Sequence, residues 1–438
     1  MKNEVPINYL MPDVLYQPYP LRPYICRLHY DFYVANYNCK CYIARMIQRA
    51  HNSILIEKLK FFPIITILGP RQCGKTTLIR NLFSDWQYFD LEKTSDFTPL
   101  SEDPEGRLKQ LSSRVIFDEA QQCPPLFSAL RSFVDEPENK NRQFILLGSA
   151  SPKLIKEISE SLAGRTTFLE LTPFLYQEIH HKDGSYDLNR LWFQGGFPIP
   201  FLTTDNDALI DWFDAFTRTF IERDLSVLGI DISSSNMRRL WTMLAHYNGN
   251  IWNASQLAAS MGVNYQTVNR YTDILEQTFL IRKLTPYYRN IGKRLIKSPR
   301  VYFRDTGLLH FFSGIRDLEQ LQTNPARGHS WEAFVIQQIC ALFSLYIPGS
   351  QFYFWRTARG AEVDLLIDVG SHLIPFEIKL HSAPGKRLIK GLTSCMKDLH
   401  IEKGYIIYPG QEIYTLNENI TVIPIEKILL DAGFLRKL

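Results

Sequence analysis

The chain has 438 residues, 45% of them apolar, and a formal net charge of +4. That length predicts two or three domains, each able to bury a core. No apolar run approaches the ~18 residues of a membrane span and no charged-then-apolar leader opens the chain. Seven cysteines without a paired framework suit a reducing compartment, so a soluble cytoplasmic protein is expected.

Residues 1–45 differ from the rest. They hold nine Tyr/Phe residues, three of the seven cysteines and five prolines, without a helical or strand period. They read as an atypical N-terminal arm or an over-extended start. Cys39 and Cys41 lie too close together, with no second pair, for a zinc site. From Met46 the sequence becomes regular, with an amphipathic helix leading into the β-branched run Ile64–Leu68.

Directly after that run stands Gly69-Pro70-Arg71-Gln72-Cys73-Gly74-Lys75-Thr76, of the form GxxxxGKT, and then the helical segment Thr77–Leu82. Strand, glycine-rich loop and helix in that order form a phosphate cradle. The glycines let backbone N–H groups turn inward, Lys75 reaches the β/γ-phosphates, and the Thr76 hydroxyl ligates Mg²⁺. Residues 69–77 are therefore expected to bind ATP.

Strands and helices alternate from 64 to about 180, which predicts a parallel sheet covered on both faces. Arg114–Asp118 is a buried strand ending in Asp118 and Glu119. At its carboxyl end, beside the loop, Asp118 is expected to hold Mg²⁺ through water, and Glu119 to orient and deprotonate the attacking water. An exposed acidic strand end is the bland alternative. Gln143–Gly148 is a second buried strand ending at Ser149, a candidate γ-phosphate sensor or simple strand-end polarity. Arg165 is a candidate charge-stabilising arginine, in cis or lent to a neighbouring subunit of a homo-oligomer; an ordinary surface arginine is the alternative. Residues 185–235 read as helical, with a turn at Gly195-Gly196-Phe197-Pro198.

The stretches GPRQCGKTTL, VIFDEAQQCPPLFSALRSFVD, FILLGSASPKLIKEISESLAGR, LWFQGGFP and FIERDL resemble the bacterial and archaeal AAA-type ATPases joined to a C-terminal domain of unknown function. The resemblance runs from about Met46 to the C-terminus. It implies ATP binding at Gly69–Thr77 and roles for Asp118 and Glu119. Ala150 departs from the serine more often found there.

Around 240–312 the pattern becomes helix, glycine turn, helix: Ser255–Gly262, then Asn264–Leu275. Two strand-like runs follow, Phe279–Leu284 and Arg300–Arg304, as in a winged helix. Eight basic residues fall between Arg282 and Arg304 (Arg282, Lys283, Arg289, Lys293, Arg294, Lys297, Arg300 and Arg304), with no acid until Asp305. Tyr287, Tyr288 and Tyr302 interleave with them. This region predicts contact with double-stranded DNA phosphates, and Asn264, Gln266, Asn269 and Arg270 are recognition-helix candidates. A lid or dimer surface with solvated charges is the alternative.

Near the C-terminus Asp364 and Glu377-Ile378-Lys379 have the form D-x₁₂-E-x-K, which resembles the PD-(D/E)xK nuclease fold. In that fold the acids bind Mg²⁺ and the lysine assists the attacking water. A four-residue loop Val369–His372 would pair Asp368 with Leu373, and so Asp364 with Glu377 on one face; an odd loop would separate them. Glu332, early in a helix from Ser330, is the upstream acid that the resemblance implies. Cross-strand ion pairs on a solvated face are the alternative. His381 reads as incidental and Lys386–Lys390 as a basic helix start.

The chain is therefore expected to be α/β, with a P-loop sheet and flanking helices in 46–225, a helical, winged-helix middle in 226–320 and an α+β nuclease-like domain in 321–438. The expected cofactors are ATP and Mg²⁺. The expected function is ATP hydrolysis coupled to DNA binding, with a metal-dependent nuclease site. A DNA-binding switch without cleavage and an ATPase acting on a protein partner are the rivals.

Overall fold

The computed structural model describes residues 47–149, 152–180, 187–225, 233–288, 298–381, 384–385 and 389–438. The N-terminal segment of composition unlike the rest, residues 1–45, lies outside the described residues.

The apolar run predicted as a strand becomes β1 (Ile64–Gly69), buried at every position. It lies inside a five-stranded sheet with β2 (Gln87–Asp90), β3 (Arg114–Asp118), β4 (Gln143–Ser149) and β5 (Thr166–Glu170), in the order β2-β3-β4-β1-β5. Each neighbouring pair is parallel. Side chains alternate across it, as the period of two requires. Ile64, Leu68, Phe117, Phe144 and Leu146 meet Leu126, Phe127, Leu130 and Phe133 of helix Pro125–Asp135 on one face. Ile65, Ile67, Ile116, Ile145 and Leu147 meet Leu78 and Ile79 of helix Lys75–Leu82 on the other. Burial on both faces explains why these strands read as unbroken apolar runs.

Helices Leu188–Gln194, Asn206–Thr219 and Ser234–Tyr247 follow. Helix Ala254–Met261 ends at Gly262, whose φ of 68° is the left-handed conformation that stops a helix, and helix Tyr265–Gln277 follows after Val263 and Asn264. Strands β6 (Ile281–Pro286) and β7 (Arg300–Phe303) then pair antiparallel.

The C-terminal part contributes β8 (Gln351–Arg356), β9 (Glu362–Asp368), β10 (Leu373–Ile378), β11 (Gly404–Tyr408), β12 (Tyr414–Asn417) and β13 (Ile420–Pro424). These strands do not form a sheet of their own. Thr285 and Pro286 of β6 pair with Tyr353 and Phe354 of β8, giving one eight-stranded sheet in the order β12-β13-β11-β10-β9-β8-β6-β7. The boundary expected near residue 320 is therefore no break in the sheet. Helix Arg327–Tyr346 is buried along almost its whole length, and Gln338 accepts a hydrogen bond from the Tyr176 backbone at 2.9 Å. No described helix is long and apolar enough to cross a membrane.

A buried relay ties this helix to its neighbours. Trp192 Nε1 donates to Ser330 Oγ at 2.9 Å, and His310 lies 2.6 Å from the same hydroxyl and 2.9 Å from the Phe193 carbonyl. The carbonyl can only accept, so His310 Nδ1 carries the proton and Nε2 accepts from Ser330. Burial pushes the His310 pKa down to about 4, against the pull of the Phe193 carbonyl. The stability that neutral His310 contributes is complete above its unfolded pKa, ~6.5, and is lost as pH falls toward 4. Urea unfolding at pH 7 and pH 5 should show wild type losing more stability than His310→Gln across that interval; equal losses would remove His310 from the acid limb.

Candidate functional site

The loop Gly69–Thr76 leaves the carboxyl end of β1 and feeds helix Lys75–Leu82. Two of its glycines are required by geometry. A Cβ on Gly69 would stand 2.2 Å from the Leu171 carbonyl, and Gly74 has φ of 98°. Lys75 is buried, and its Nζ donates to the carbonyls of Gly69 at 3.0 Å and Pro70 at 2.9 Å, which holds the ammonium in the mouth of the loop. Cys73 is fully buried, with Sγ 3.4 Å from the Leu171 carbonyl. Gln72 and Thr77 are exposed. Arg71 faces Glu92 at 3.6 Å.

Parallel pairing sets the acids beside this loop. Thr76 Oγ1 donates to Asp118 Oδ2 at 2.6 Å, and Tyr88 of β2 donates to the same oxygen at 2.7 Å. Burial, then the bond to Asp118, raises the Tyr88 pKa, so the phenol keeps its proton. Glu119 takes φ of 52°, a left-handed conformation costly for a side-chain-bearing residue, and accepts a hydrogen bond from Gln121. Asp118, only 4% exposed and already beside the Thr76 hydroxyl, fits a hard cation with oxygen ligands. Thr76 and Asp118 are the residues that would hold Mg²⁺, which when bound neutralises phosphate charge. Ser149 pairs with Gly69 across β4 and β1, so its strand position is at the loop.

Arg165 is elsewhere. Its carbonyl accepts from Ile64 N, at the start of β1, about 17 Å along the strand from Gly69 at ~3.3 Å per residue. Its guanidinium is bound to Asp135 at 2.7 and 2.5 Å. In a parallel sheet the two ends of β1 lie on the opposite, amino- and carboxyl-terminal, sides, so Arg165 does not reach the nucleotide loop of its own chain.

A buried arginine that the sequence did not single out braces the loop instead. Arg49 NH1 donates to the Cys73 carbonyl at 3.0 Å, and its Nε lies 3.0 Å from Glu178. Burial favours the neutral form of Glu178, but Arg49 and His51 overcome this and hold its pKa at about 2. Arg223, within FIERDL, reaches Glu92 at 2.6 Å, the carboxylate that also faces Arg71.

The C-terminal hairpin has the even register. Leu373 pairs with Asp368 and Phe376 with Leu365, so the next pair is Glu377 with Asp364. Lys379 Nζ lies 2.7 Å from Glu377 and 3.6 Å from Asp364, whose Oδ2 also accepts from Ile378 N at 2.9 Å. Glu332 joins them from helix Arg327–Tyr346. Burial and the neighbouring Asp364 raise the pKa of both Glu332 and Glu377 to about 8, opposed by Arg300 and Lys379 respectively.

Two residues of β7 also enter this cluster. Arg300 is 3.3 Å from Glu332, 3.7 Å from Asp364 and 2.7 Å from Glu362, and Tyr302 donates to Glu332 at 2.5 Å. Among the described residues, no three His, Cys, Asp or Glu side chains are placed to hold one metal ion. The metal role expected of Asp364 and Glu377 therefore does not fit this arrangement, because side-chain cations already lie between the carboxylates.

The four described basic residues of the hairpin are likewise engaged inside the molecule. Arg282 reaches Gln337 at 3.2 Å, Lys283 binds Asp273, Arg304 binds Glu170, and Arg300 is in the acidic cluster. Arg289, Lys293, Arg294 and Lys297 lie outside the described residues. Of the recognition-helix candidates, Asn264 caps its own helix by accepting from Thr267 N, and Asn269 accepts from Trp252 Nε1 at 2.9 Å. Gln266 and Arg270 are exposed.

Three family models match the chain. Residues 62–180 match an AAA domain, 185–319 a domain of unknown function, DUF8612, and 327–428 another, DUF4143. The uncharacterized protein Rv2008c of Mycobacterium tuberculosis and Mb2031c of Mycobacterium bovis are each 41% identical over 369 residues, 84% of this chain and 81% of theirs. The chain belongs to their family. The Walker-type ATPase PABY2304 of Pyrococcus abyssi aligns over 61% of this chain and 96% of its own, at 15% identity and TM-score 0.40. The RuvB Holliday junction branch migration motor of Thermotoga maritima aligns over 53% and 87%, at 19% identity and TM-score 0.28. An AAA-type P-loop ATPase domain thus carries the first site, and the second lies within the DUF4143 match except for Arg300 and Tyr302, which DUF8612 supplies.

Because Arg49 and Glu178 are both buried, removing one leaves an uncompensated charge inside the fold. Arg49→Leu should cost about 3–5 kcal/mol in urea unfolding, and Arg49→Leu with Glu178→Leu should recover most of it. An unchanged midpoint in the single variant would show that the loop does not depend on this brace.

Proposed function

We propose that this protein hydrolyses ATP at Gly69–Thr77 and uses the cycle to change how its winged-helix and C-terminal parts engage DNA. The observation that carries the ATPase reading is the 2.6 Å bond between Thr76 and Asp118, with Glu119 as the next residue. In the proposed reaction Lys75 exchanges its loop carbonyls for the terminal phosphates. Glu119 leaves Gln121, accepts a proton from the attacking water and returns it to solvent after phosphate departs. Arg223 and Arg71, which both face Glu92, are the in-cis candidates for the charge-stabilising part, and Arg165 keeps that part only toward a neighbouring subunit.

Contact with DNA is supported by the helix-turn-helix and by the exposed Gln266 and Arg270. Asp364, Glu377 and Lys379 are the residues of a proposed nuclease-type centre, whose support is the register that brings them together. A second reading, an ATPase acting on a protein partner, is favoured by one observation: Arg282, Lys283, Arg300 and Arg304 are all engaged internally.

Steady-state phosphate release, with and without duplex DNA, separates these readings. Lys75→Ala should lower turnover by roughly 10²–10³-fold, as expected when a charge-stabilising donor is lost. Duplex DNA should raise wild-type turnover, and if it changes neither turnover nor binding, the protein-partner reading replaces the DNA one. Nicking of supercoiled plasmid that survives Lys75→Ala and disappears in Asp364→Ala would establish cleavage; nicking that persists in Asp364→Ala would remove that centre from the reaction.

A further inference from the structure

Asp118 holds three donors around one carboxylate. Its Oδ2 accepts from Thr76 Oγ1 at 2.6 Å and from the Tyr88 hydroxyl at 2.7 Å, and its Oδ1 accepts from Glu119 N at 2.9 Å. An ionised carboxylate has about four acceptor sites, shared between its two oxygens. Those on Oδ2 are therefore taken, and room remains on Oδ1. Because the carboxylate can only accept, the Thr76 proton points at Asp118 and the lone pairs of that hydroxyl face elsewhere. In that orientation the Thr76 oxygen can ligate a hard cation.

Parallel pairing gives Tyr88 this reach. Tyr88 pairs with Ile116 and Asp90 with Asp118, so Tyr88 and Asp118 share the sheet face covered by helix Lys75–Leu82. The ring is held from two directions. It packs against the apolar cluster that contains Ile79 and Ile116, and the Arg80 guanidinium lies 4.9 Å from its centre. A ring so held keeps its hydroxyl trained on Asp118. We propose that Tyr88 is a positioning residue for the nucleotide's Mg²⁺: its hydroxyl fixes the Asp118 carboxylate, so that Thr76 and Asp118 present their remaining lone pairs together. This deepens, and rests on, the ATP-binding reading of the loop. Hydrogen bonds that orient metal ligands typically contribute about 10- to 100-fold to metal affinity. Tyr88 acts through Asp118, so it governs affinity for the ion and leaves binding of metal-free nucleotide alone.

The test is binding of a fluorescent, non-hydrolysable ATP analogue to the full-length chain, measured once in excess Mg²⁺ and once in EDTA. By linkage, the ratio of the two affinities reports the ion's contribution. Tyr88→Phe should lower that ratio about tenfold or more and leave affinity in EDTA within about twofold of wild type. Added to Asp118→Asn, the same change should lower the ratio by no more than about twofold, because the two groups act as one. An unchanged ratio in Tyr88→Phe overturns the proposal, and so does a further large loss in the double variant. Equal losses in Mg²⁺ and EDTA also overturn it, since they make Tyr88 a support of the loop alone. If wild type binds the analogue in neither condition, the ATP reading itself falls and takes the proposal with it; normal wild-type binding with an unchanged ratio sinks only Tyr88. Should Tyr88→Phe not fold, 3-fluorotyrosine placed at position 88 decides. Its ¹⁹F resonance should move when Mg²⁺ is added to the analogue complex and stay fixed in Asp118→Asn; no movement overturns the proposal.

Discussion

The ion pair between Arg304 and Glu170 is where the parts of this protein meet. Glu170 closes β5 in the ATPase sheet, Arg304 follows β7 of the wing, and Arg304 Nε also donates to Gln337 of the long C-terminal helix at 3.3 Å. Burial works against the charged form of Glu170, yet Arg304 and Arg282 hold its pKa below the usual carboxylate range. Such pairs contribute little net stability, since desolvation offsets most of the attraction, but losing one partner is expensive. Apolar contacts would tolerate sliding between the three parts. A forked guanidinium between a carboxylate and an amide fixes their relative position instead.

That arrangement changes what the basic residues of the middle region mean. A run of cations with no intervening acid looks, along the chain, like a surface for a polyanion. In three dimensions the four described members each find an acid or amide: Gln337 and Glu332 on helix Arg327–Tyr346, Asp273 on helix Tyr265–Gln277 and Glu170 at the end of β5. The partners of Arg282, Arg300 and Arg304 lie 55, 32 and 134 residues away in sequence, and local charge density carries no information about them. Among the described residues, the β6–β7 hairpin acts as an internal connector.

The same distinction decides which features were legible beforehand. The phosphate loop, Asp118 and the parallel sheet are consequences of local order: apolar run, glycine turn, helix, then a strand ending in acid. The register placing Asp364 opposite Glu377 was also local, because a four-residue loop fixes it. Arg165 lies at the far end of β1 from its own phosphate loop, which bears only on the in-cis role expected of it, because a motif's position in sequence does not say which end of a parallel strand it occupies. Arg49, Tyr88 and Arg300 were missed in their actual roles since each acts across a long sequence separation, on the Cys73 carbonyl, Asp118 and the Glu332–Asp364 pair. β2 and β8 carry aromatic and polar residues rather than branched apolar runs, so no periodicity announced them.

The continuous sheet has a consequence for how the chain came to be joined in this order. β8 is rich in aromatic residues, Phe352, Tyr353, Phe354 and Trp355, and its outer side is covered by β6 at Tyr353 and Phe354. Without the wing, that side would be an open, hydrophobic edge presenting unpaired backbone groups to any passing strand. β6 supplies the pairing that this edge needs at Tyr353 and Phe354. A C-terminal domain separated from it would trade a sealed seam for a sticky one.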